Sequence, residues 1–180
     1  MEKNSFIKFQ FRDPFKKTLS GSNVICIRKN DDHHLWIGTQ EDGLFQLNKD
    51  NGTFSNYRHD ARSANSITSN TIYSVNQDGH GSLWTRTENG GLSILFPARD
   101  QFYNFGHDEI DVNSLNGNSI YSICWDRNDN MWLGAFSGGI NLYKKTTSSF
   151  GLYRHNLHDG SHSNDFVLSL FEDRDRNIVY

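Results

Sequence analysis

The stretch that decides the fold is Leu35-Trp36-Ile37-Gly38-Thr39, because it recurs at a fixed interval of about 48 residues, a length typical of stacked structural units. The later copies are Leu83-Trp84-Thr85-Arg86-Thr87 and Met131-Trp132-Leu133-Gly134-Ala135. Self-similarity at a fixed period of this kind is the signature of a chain built from repeated supersecondary units. The sequence therefore predicts a repeat protein.

Other positions keep the same interval. They are a glycine, the apolar residue that follows it, and a phenylalanine followed three positions later by another aromatic residue. The matched residues are Trp36, Trp84 and Trp132; Gly43, Gly91 and Gly139; Leu44, Leu92 and Ile140; Phe54, Phe102 and Phe150; and Tyr57, Phe105 and Tyr153. Counting back one interval reaches Phe6 and Phe9, so the repeat extends toward the N-terminus.

One unit is predicted to contain four short strands joined by tight turns. In the second unit the strands are expected at 71–75, around 83–85, at 92–96 and around 102–105, with turns at 77–81 and 89–91. Four strands in a unit of about 40–50 residues are typical of a β-propeller blade. No run of ten or more residues has the 3.6-residue period of a helix. The predicted fold class is all-β, a fragment of a β-propeller made of four-stranded antiparallel blades.

The whole chain is predicted to be one partial propeller with between three and four blades. Residues 1–20 are expected to end a preceding blade, 21–67, 68–115 and 116–161 to form three blades, and 162–180 to start a further one. The repeated Trp and Phe residues are expected to fill the gaps between blades, since large flat side chains cover much area. The repeated glycines are expected in hairpin turns that need positive φ.

Composition excludes several classes of function. The net charge is −3, which gives no electrostatic footprint for nucleic acid or an anionic membrane. No segment approaches the roughly 20 apolar residues of a membrane span. The N-terminus lacks an apolar signal segment, so any contact with a membrane is expected only through parts of a longer parent.

The sequence offers little for metal or covalent chemistry. Cys26 and Cys124 lie in apolar runs and are expected to be buried free thiols. The eight histidines show no ligand spacing, and His59, His107 and His155 repeat as loop residues, so neither a metal nor another cofactor is predicted.

The acidic residues and the motif content favour structural roles over catalysis. Asp78 and Asp126 are expected to accept backbone N–H groups in turns, with calcium binding as the alternative. A phosphate loop and a nucleophile elbow are both missing, and no pair of carboxylates breaks the repeat. The segment is therefore not expected to be an enzyme.

The repeated unit resembles a known family. The resemblance rests on Leu35-Trp36-Ile37-Gly38-Thr39, Gly43-Leu44, Phe54-x-x-Tyr57, and the linking stretches Tyr57-Arg58-His59-Asp60 and Ala64-Asn65-Ser66-Ile67. Together these are similar to two-component regulator propeller repeats. That family forms the periplasmic sensor region of hybrid two-component histidine kinases in glycan-degrading bacteria.

The resemblance implies several properties of the parent protein. It implies a periplasmic sensor whose oligosaccharide ligand controls polysaccharide-utilisation genes, with a histidine kinase elsewhere in the parent. It also implies about seven blades per propeller, so this chain is expected to be a fragment. Unpaired edges favour self-association. The hypothesis is a composite blade made from the C-terminal strands of one chain and the Phe6–Phe9 strand of another.

Candidate ligand contacts are the residues that break the repeat. Arg86 stands where the other units have Gly38 and Gly134, and Phe136 follows the same strand one unit later. Glu88 and Asn89 share the loop after Arg86, and propeller loops on one face carry binding. An aromatic platform beside polar donors suits a sugar, although ordinary variation between blades is the alternative.

Three functional classes follow from these observations. The leading hypothesis is a ligand sensor, the second is a non-catalytic scaffold for a protein partner, and the third is a propeller lyase or glycosidase. Fold alone does not decide among them.

Overall fold

The structure is a computed structural model that describes residues 19–144, 149–153 and 165–180. Within these residues the chain forms three four-stranded antiparallel sheets and one two-stranded sheet. Each sheet keeps its strands in chain order, with consecutive strands hydrogen-bonded to each other. The predicted all-β propeller fold with four-stranded antiparallel blades is confirmed.

Each four-stranded sheet is called a blade. Blade 1 contains β1 (Val24–Lys29), β2 (His34–Thr39), β3 (Leu44–Asn48) and β4 (Phe54–Tyr57). Blade 2 contains β5 (Ile72–Gln77), β6 (Leu83–Thr87), β7 (Leu92–Phe96) and β8 (Gln101–Phe105). Blade 3 contains β9 (Ile120–Trp125), β10 (Met131–Ala135), β11 (Gly139–Lys144) and β12 (Ser149–Tyr153). Partial blade 4 contains β13 (Phe171–Glu172) and β14 (Ile178–Val179).

The predicted strand ends differ from the observed ones in one informative place. β5 runs on to Gln77, because Asn76 pairs with Trp84 and Gln77 pairs with Leu83. The turn therefore begins at Asp78, whose backbone N–H bonds the carbonyl of Ser82. The predicted blade boundaries remain predictions. The Phe6–Phe9 strand and the expected end of a preceding blade at 1–20 lie almost entirely outside the described residues.

Buried tryptophans join each blade to the next. Trp36 is fully buried in a cluster that includes Ile72 and Leu83 of blade 2. Trp84 lies in the equivalent cluster with Ile120 and Leu133 of blade 3. Trp132 packs against a third cluster, which holds Ile140, Val167 and Leu170. The expected packing of the repeated tryptophans between blades is confirmed.

The repeated phenylalanines and glycines also have the expected structural roles. Phe102 and Phe150 are buried, and Phe54 packs against the cluster of Leu19, Ile37, Phe45 and Leu47. The glycines at the start of the third strands have positive φ: Gly43 at 81°, Gly91 at 70° and Gly139 at 65°. These φ values lie in the left-handed region that glycine adopts without a steric cost.

Asp78 organises the turn between β5 and β6. Its Oδ1 accepts the backbone N–H groups of His80 and Ser82, and its Oδ2 accepts the Trp84 indole N–H at 3.0 Å. Asp126 repeats this pattern and accepts the Trp132 indole N–H at 2.9 Å. The expected turn role is therefore observed for both carboxylates, and their oxygens are occupied by hydrogen bonds from the chain.

These two aspartates predict an acid limb in the stability of the chain. Burial raises the pKa of each carboxyl group, but hydrogen bonds from the indole and turn N–H groups together lower it by more. The net pKa of each therefore lies below the ordinary value. For each aspartate the pKa is lower in the folded state than in the unfolded state. Their contribution to the free energy of unfolding is therefore complete above the unfolded-state pKa, about 3.9, and is lost as the pH falls through the folded-state pKa.

We therefore expect the midpoint temperature of thermal unfolding to decrease as the pH is lowered below about 4. The decrease is expected to be less steep in the Asp78→Asn, Asp126→Asn double variant. Scanning calorimetry from neutral pH to pH 2 measures both curves. An identical acid-induced drop in the two proteins would contradict the prediction.

Candidate functional site

A row of partly exposed aromatic residues and one arginine crosses blades 2 and 3. We call it the aromatic–arginine ridge and define it by Tyr73, Arg86, Tyr121, Phe136 and Phe166. The aromatic residues are 37%, 46%, 48% and 48% exposed, in chain order. Contiguous exposed apolar patches are typical of binding surfaces, so the ridge is the candidate site.

Arg86 lies between two tyrosines from neighbouring blades. Its Cζ is 5.3 Å from the ring centre of Tyr73 and 5.9 Å from that of Tyr121. Its Nη1 donates a hydrogen bond to the Tyr121 carbonyl. Burial lowers the pKa of Arg86, but a guanidinium remains charged in proteins. Its buried Nε–H has no hydrogen-bond partner among the described residues.

The space between the blades explains why an arginine fits only in blade 2. A Cβ added at Gly38 would lie 2.6 Å from Cys26 Sγ and 2.8 Å from Ile72 Cγ2. A Cβ at Gly134 would lie 2.6 Å from Cγ1 of Val167, which follows blade 3 in the chain. Blades 1 and 3 therefore close tightly on their neighbours at this position. Between blades 2 and 3 the position admits a long side chain, and Arg86 occupies it.

The two tyrosines are displayed by bulges in the first strands. In β5, Ile72 pairs with Thr87 and Ser74 with Arg86, so Tyr73 is the extra residue. In β9 the register shifts in the same way around Tyr121. A bulge re-aims a side chain out of the regular ladder. The bulges therefore place the side chains of both tyrosines beside Arg86 in the ridge.

Phe136 extends the ridge beyond blade 3. Its ring centre is 5.4 Å from that of Tyr121 and 4.7 Å from that of Phe166. Its backbone N–H donates to the carbonyl of Ser119, which fixes the start of the turn after β10. The structure thus brings the predicted contacts Arg86 and Phe136 to a common surface, with Tyr121 between them.

Glu88 and Asn89 have different surroundings. Glu88 Oε1 accepts a hydrogen bond from the Tyr73 hydroxyl at 3.0 Å, so it adds an acceptor to the ridge. Burial and then Glu88 raise the pKa of Tyr73, which keeps the hydroxyl protonated as a donor. Asn89 has a φ of 52° and its side chain accepts the Ser119 hydroxyl at 3.0 Å. Asn89 therefore contributes to the turn and to the contact between blades, and its role as a ligand contact stays a prediction.

Sequence reasoning missed Tyr73, Tyr121 and Phe166. The two tyrosines are one repeat interval apart, so they follow the periodic pattern and were not distinguished from structural residues. The sequence feature that could have identified them is Arg86, which breaks the repeat on the strand next to that of Tyr73. Phe166 follows a loop whose length differs between units, so the 48-residue interval does not identify its equivalent in the other blades.

The histidines and cysteines have local roles in the described residues. Nδ1 of His59 hydrogen-bonds the Ile67 carbonyl and Nδ1 of His107 the Leu115 carbonyl, each at 2.8 Å, which anchors the loop before the next blade. His155 lies outside the described residues. Cys26 and Cys124 are free thiols, half-buried rather than fully buried, and burial raises the pKa of each.

The described residues offer binding chemistry in the ridge. Aromatic faces, a guanidinium, a hydroxyl and one carboxylate can stack on and hydrogen-bond a ligand. In the described ranges no three His, Cys, Asp or Glu side chains are grouped to hold a metal ion. None of the helices there is long and apolar enough to cross a membrane.

Comparison with known proteins agrees with this architecture. The family model for the two-component regulator propeller matches residues 18–41 and 114–137, which contain Gly38 and Gly134 but not Arg86. No curated protein matches the sequence.

Several solved structures share the fold. The extracellular domain of the putative hybrid two-component system BT4673 from B. thetaiotaomicron is 24% identical with a TM-score of 0.63, covering 86% of this chain and 20% of that one. The corresponding domain of BT3049 from the same organism is 20% identical with a TM-score of 0.50, covering 96% and 34%. Virginiamycin B lyase from Staphylococcus aureus is 12% identical with a TM-score of 0.59, covering 86% and 47%.

The chain thus spans between a fifth and about half of these structures. Since the fold occurs in both sensor domains and a lyase, the likeness establishes architecture alone. The specific match is to the repeat itself. The two segments that match the two-component regulator propeller model contain the first two strands of blade 1 and of blade 3 in a β-propeller fold.

Proposed function

We propose that this chain is part of the periplasmic, ligand-sensing propeller of a hybrid two-component sensor histidine kinase. In this proposal the aromatic–arginine ridge contacts an oligosaccharide released from a polysaccharide, and the parent controls genes for using that polysaccharide. The repeat family supports the sensor class. The observation that carries the ligand site is the insertion of Arg86 between Tyr73 and Tyr121.

The chemistry of the ridge suits a neutral saccharide. The C–H faces of a pyranose ring pack on exposed aromatic rings, while its hydroxyls pair with fixed donors and acceptors. Arg86 supplies N–H donors and Glu88 a carboxylate acceptor, with the Tyr73 hydroxyl between them. The ridge offers both kinds of contact along one surface.

The proposed mechanism is non-catalytic. Glu88 accepts a hydrogen bond from Tyr73 of the ridge, whereas glycoside hydrolysis uses two acidic groups across the scissile bond. Binding would favour one arrangement of the sensor over another, because a ligand shifts an equilibrium by its differential affinity for the two states. The ridge joins two blades, so a bound ligand would also act on their relative position.

Removing the guanidinium is the test of the ridge. We expect Arg86→Ala to weaken saccharide binding by about tenfold to a hundredfold, since hydrogen bonds to charged groups contribute roughly 1.5–3 kcal/mol. A panel of oligosaccharides screened by thermal shift identifies a ligand, and calorimetric titration then compares wild type and variant.

The matched control is Arg99→Ala, which removes an exposed arginine from the connection between β7 and β8. That connection lies at the opposite end of blade 2 from the β6–β7 turn. Unchanged affinity in Arg86→Ala would contradict the ridge site. Equal losses in both variants would show a general charge effect and would contradict it as well.

A protein-binding scaffold is the second candidate function. Tyrosine, phenylalanine and arginine are the residue types enriched in protein interfaces, and the ridge contains all three. The same panel separates the two functions. A sensor is expected to gain thermal stability with one saccharide class, and a scaffold with none.

A further inference from the structure

An aromatic cavity lies between blades 2 and 3, away from the ridge. Its volume is about 550 Å³, and it is located under the turn that joins β5 and β6. This volume is within the roughly 300–1,000 Å³ of small-molecule sites. Tyr73 of the ridge is at the start of β5 and Gln77 of the cavity is at its end, so about 13 Å of strand separates the two features. The cavity is therefore independent of the function proposed for the ridge.

Four aromatic rings form the walls of the cavity: Trp84, Phe96, Trp125 and Tyr143. The Trp84 ring is inclined by 81° to that of Trp125 and by 60° to that of Tyr143, at centre distances of 5.2 and 5.7 Å. Rings at such angles form adjoining walls rather than one flat stack. The indole N–H of Trp84 is bonded to Asp78 and the indole nitrogen of Trp125 is enclosed by protein, so the walls offer a ligand ring surface and no indole donor.

The cavity also has a negative charge. The carboxylates of Asp78 and Asp129 line it, and its lining contains neither lysine nor arginine. Although burial raises the pKa of Asp78, hydrogen bonds from Trp84 and the turn lower it by more, so this carboxyl group is ionised at neutral pH. Within the described residues, none of the ion pairs includes either aspartate.

His80 is the other ionisable group in the lining besides Tyr143 and the two aspartates. An imidazole is largely neutral in mildly alkaline solution and gains a positive charge as the pH falls below neutrality. In mildly alkaline solution the lining is therefore negative, with no positive charge to offset the carboxylates. Such a site disfavours an anion and attracts a cation.

The hydrogen bonds of Asp78 narrow the kind of cation. Both of its oxygens already accept N–H groups, from the turn and from Trp84. These donors are neutral, so Asp78 keeps its negative charge while its oxygens are engaged. It therefore favours a cation that needs an opposite charge but brings no N–H donor. A quaternary ammonium group has that property, and aromatic faces are known to bind it.

The preceding junction, between blades 1 and 2, shows that blade architecture does not require this lining. One repeat interval before Phe96, Trp125, Tyr143, Asp78 and Asp129, the chain has residues that are neither aromatic nor charged: Asn48, Gln77, Leu95, Asn30 and Gly81. In that junction the Gln77 amide instead donates a hydrogen bond to Asn30 at 3.2 Å. The aromatic and acidic lining is therefore specific to the junction of blades 2 and 3, as expected of a binding site.

We propose that this cavity binds an organic cation with a methylated quaternary ammonium head group. The head group lies against the ring faces of Trp125 and Tyr143, while Asp78 and Asp129 supply the opposite charge. The site differs from the ridge both in its place on the blades and in the class of ligand that it takes.

The test is a ligand-observed NMR titration of the full 180-residue chain at about pH 8, where an imidazole is largely neutral. The cationic probe is choline, and the neutral probe is the alcohol in which a carbon atom replaces the choline nitrogen. The methyl signal of choline is expected to move upfield and to saturate at millimolar concentration, because aromatic faces shield protons that lie over them. The neutral alcohol has the same shape and is expected to bind about tenfold more weakly.

Two variants locate the site, and a third is their control. Trp125→Gln, which matches the residue one interval earlier, is expected to weaken choline binding about tenfold. Asp129→Asn is expected to weaken it about threefold and to keep the turn, since asparagine tolerates the observed φ of 59°. The matched control is Glu109→Gln, which removes an exposed carboxylate from the loop between β8 and β9 and is expected to leave choline binding unchanged.

The outcomes separate this site from the ridge. Arg86→Ala is expected to leave choline binding unchanged, so failure of the ridge does not count as failure of the cavity. If Trp125→Gln does not fold, Asp129→Asn and the comparison of the two probes decide the question. The proposal is overturned if the choline signal does not saturate, if the neutral alcohol binds as tightly as choline, or if Glu109→Gln weakens binding as much as Asp129→Asn.

Discussion

Gly91→Ala is expected to lower the free energy of unfolding by at least about 2 kcal/mol. Gly91 has a φ of 70°, in the left-handed region where a side chain is strained. A Cβ there would lie 2.2 Å from the backbone carbonyl oxygen of Phe105. That oxygen belongs to the backbone at the end of β8, so relief requires moving a strand. Urea denaturation monitored by tryptophan fluorescence measures the loss.

Gly79→Ala is the matched control for this prediction. Gly79 is an exposed turn glycine in the same blade, and a Cβ there would meet nothing within 4 Å. Its replacement is expected to change the free energy of unfolding by no more than about 0.5 kcal/mol. Equal effects at the two glycines would show that the third-strand turn does not depend on positive φ.

Trp36→Ala is expected to cost about 3–5 kcal/mol of stability, because it leaves a large cavity between two blades. Trp36 is 0% exposed and lies in one cluster with Leu44 of its own blade and with Ile72 and Leu83 of the next. Removing the indole takes packing from both blades at once. The same urea experiment measures the effect.

The control for Trp36→Ala is Tyr103→Ala. Tyr103 is 45% exposed in the middle of β8, and its ring packs at the surface against Phe96. We expect its loss to cost no more than about 1 kcal/mol, as for an exposed side chain away from the core. A small effect at Trp36, close to that at Tyr103, would contradict the packing of repeated tryptophans between blades.

The repeat predicted the architecture because its constant spacing marks positions with one physical task in every blade. Trp36 and Trp84 fill equivalent gaps, and Gly43 and Gly91 take equivalent turns. These tasks depend on short-range geometry that each unit repeats. The constant interval was therefore sufficient to place them.

The ridge was predictable only in part, because its contacts depend on features that do not follow the repeat. Arg86 and Phe136 stood out because they break the repeat, but their meeting depends on Tyr121, which the bulge in β9 displays. A bulge is a matter of register between two strands and leaves no mark on the spacing. Asn89 was predicted as a ligand contact from its place in the loop alone, and the structure gives it a hydrogen bond with Ser119.

The cavity was not predictable from the sequence. Trp125 was visible as a tryptophan outside the repeat, but nothing in the spacing indicated that it would line a cavity. The cavity depends on how Trp84, Phe96 and Tyr143 leave space between two blades. Gaps between packed side chains are set in three dimensions, so a one-dimensional pattern does not contain them.

The central claim is that the repeat supplies the fold and that binding lies where the repeat breaks. Arg86→Gly tests it most directly, because the variant restores the residue found at Gly38 and Gly134. Unfolding and saccharide titration are measured on the same protein. We expect a free energy of unfolding within about 1 kcal/mol of wild type, together with loss of saccharide binding. Unchanged binding, or a variant that no longer folds, would contradict it.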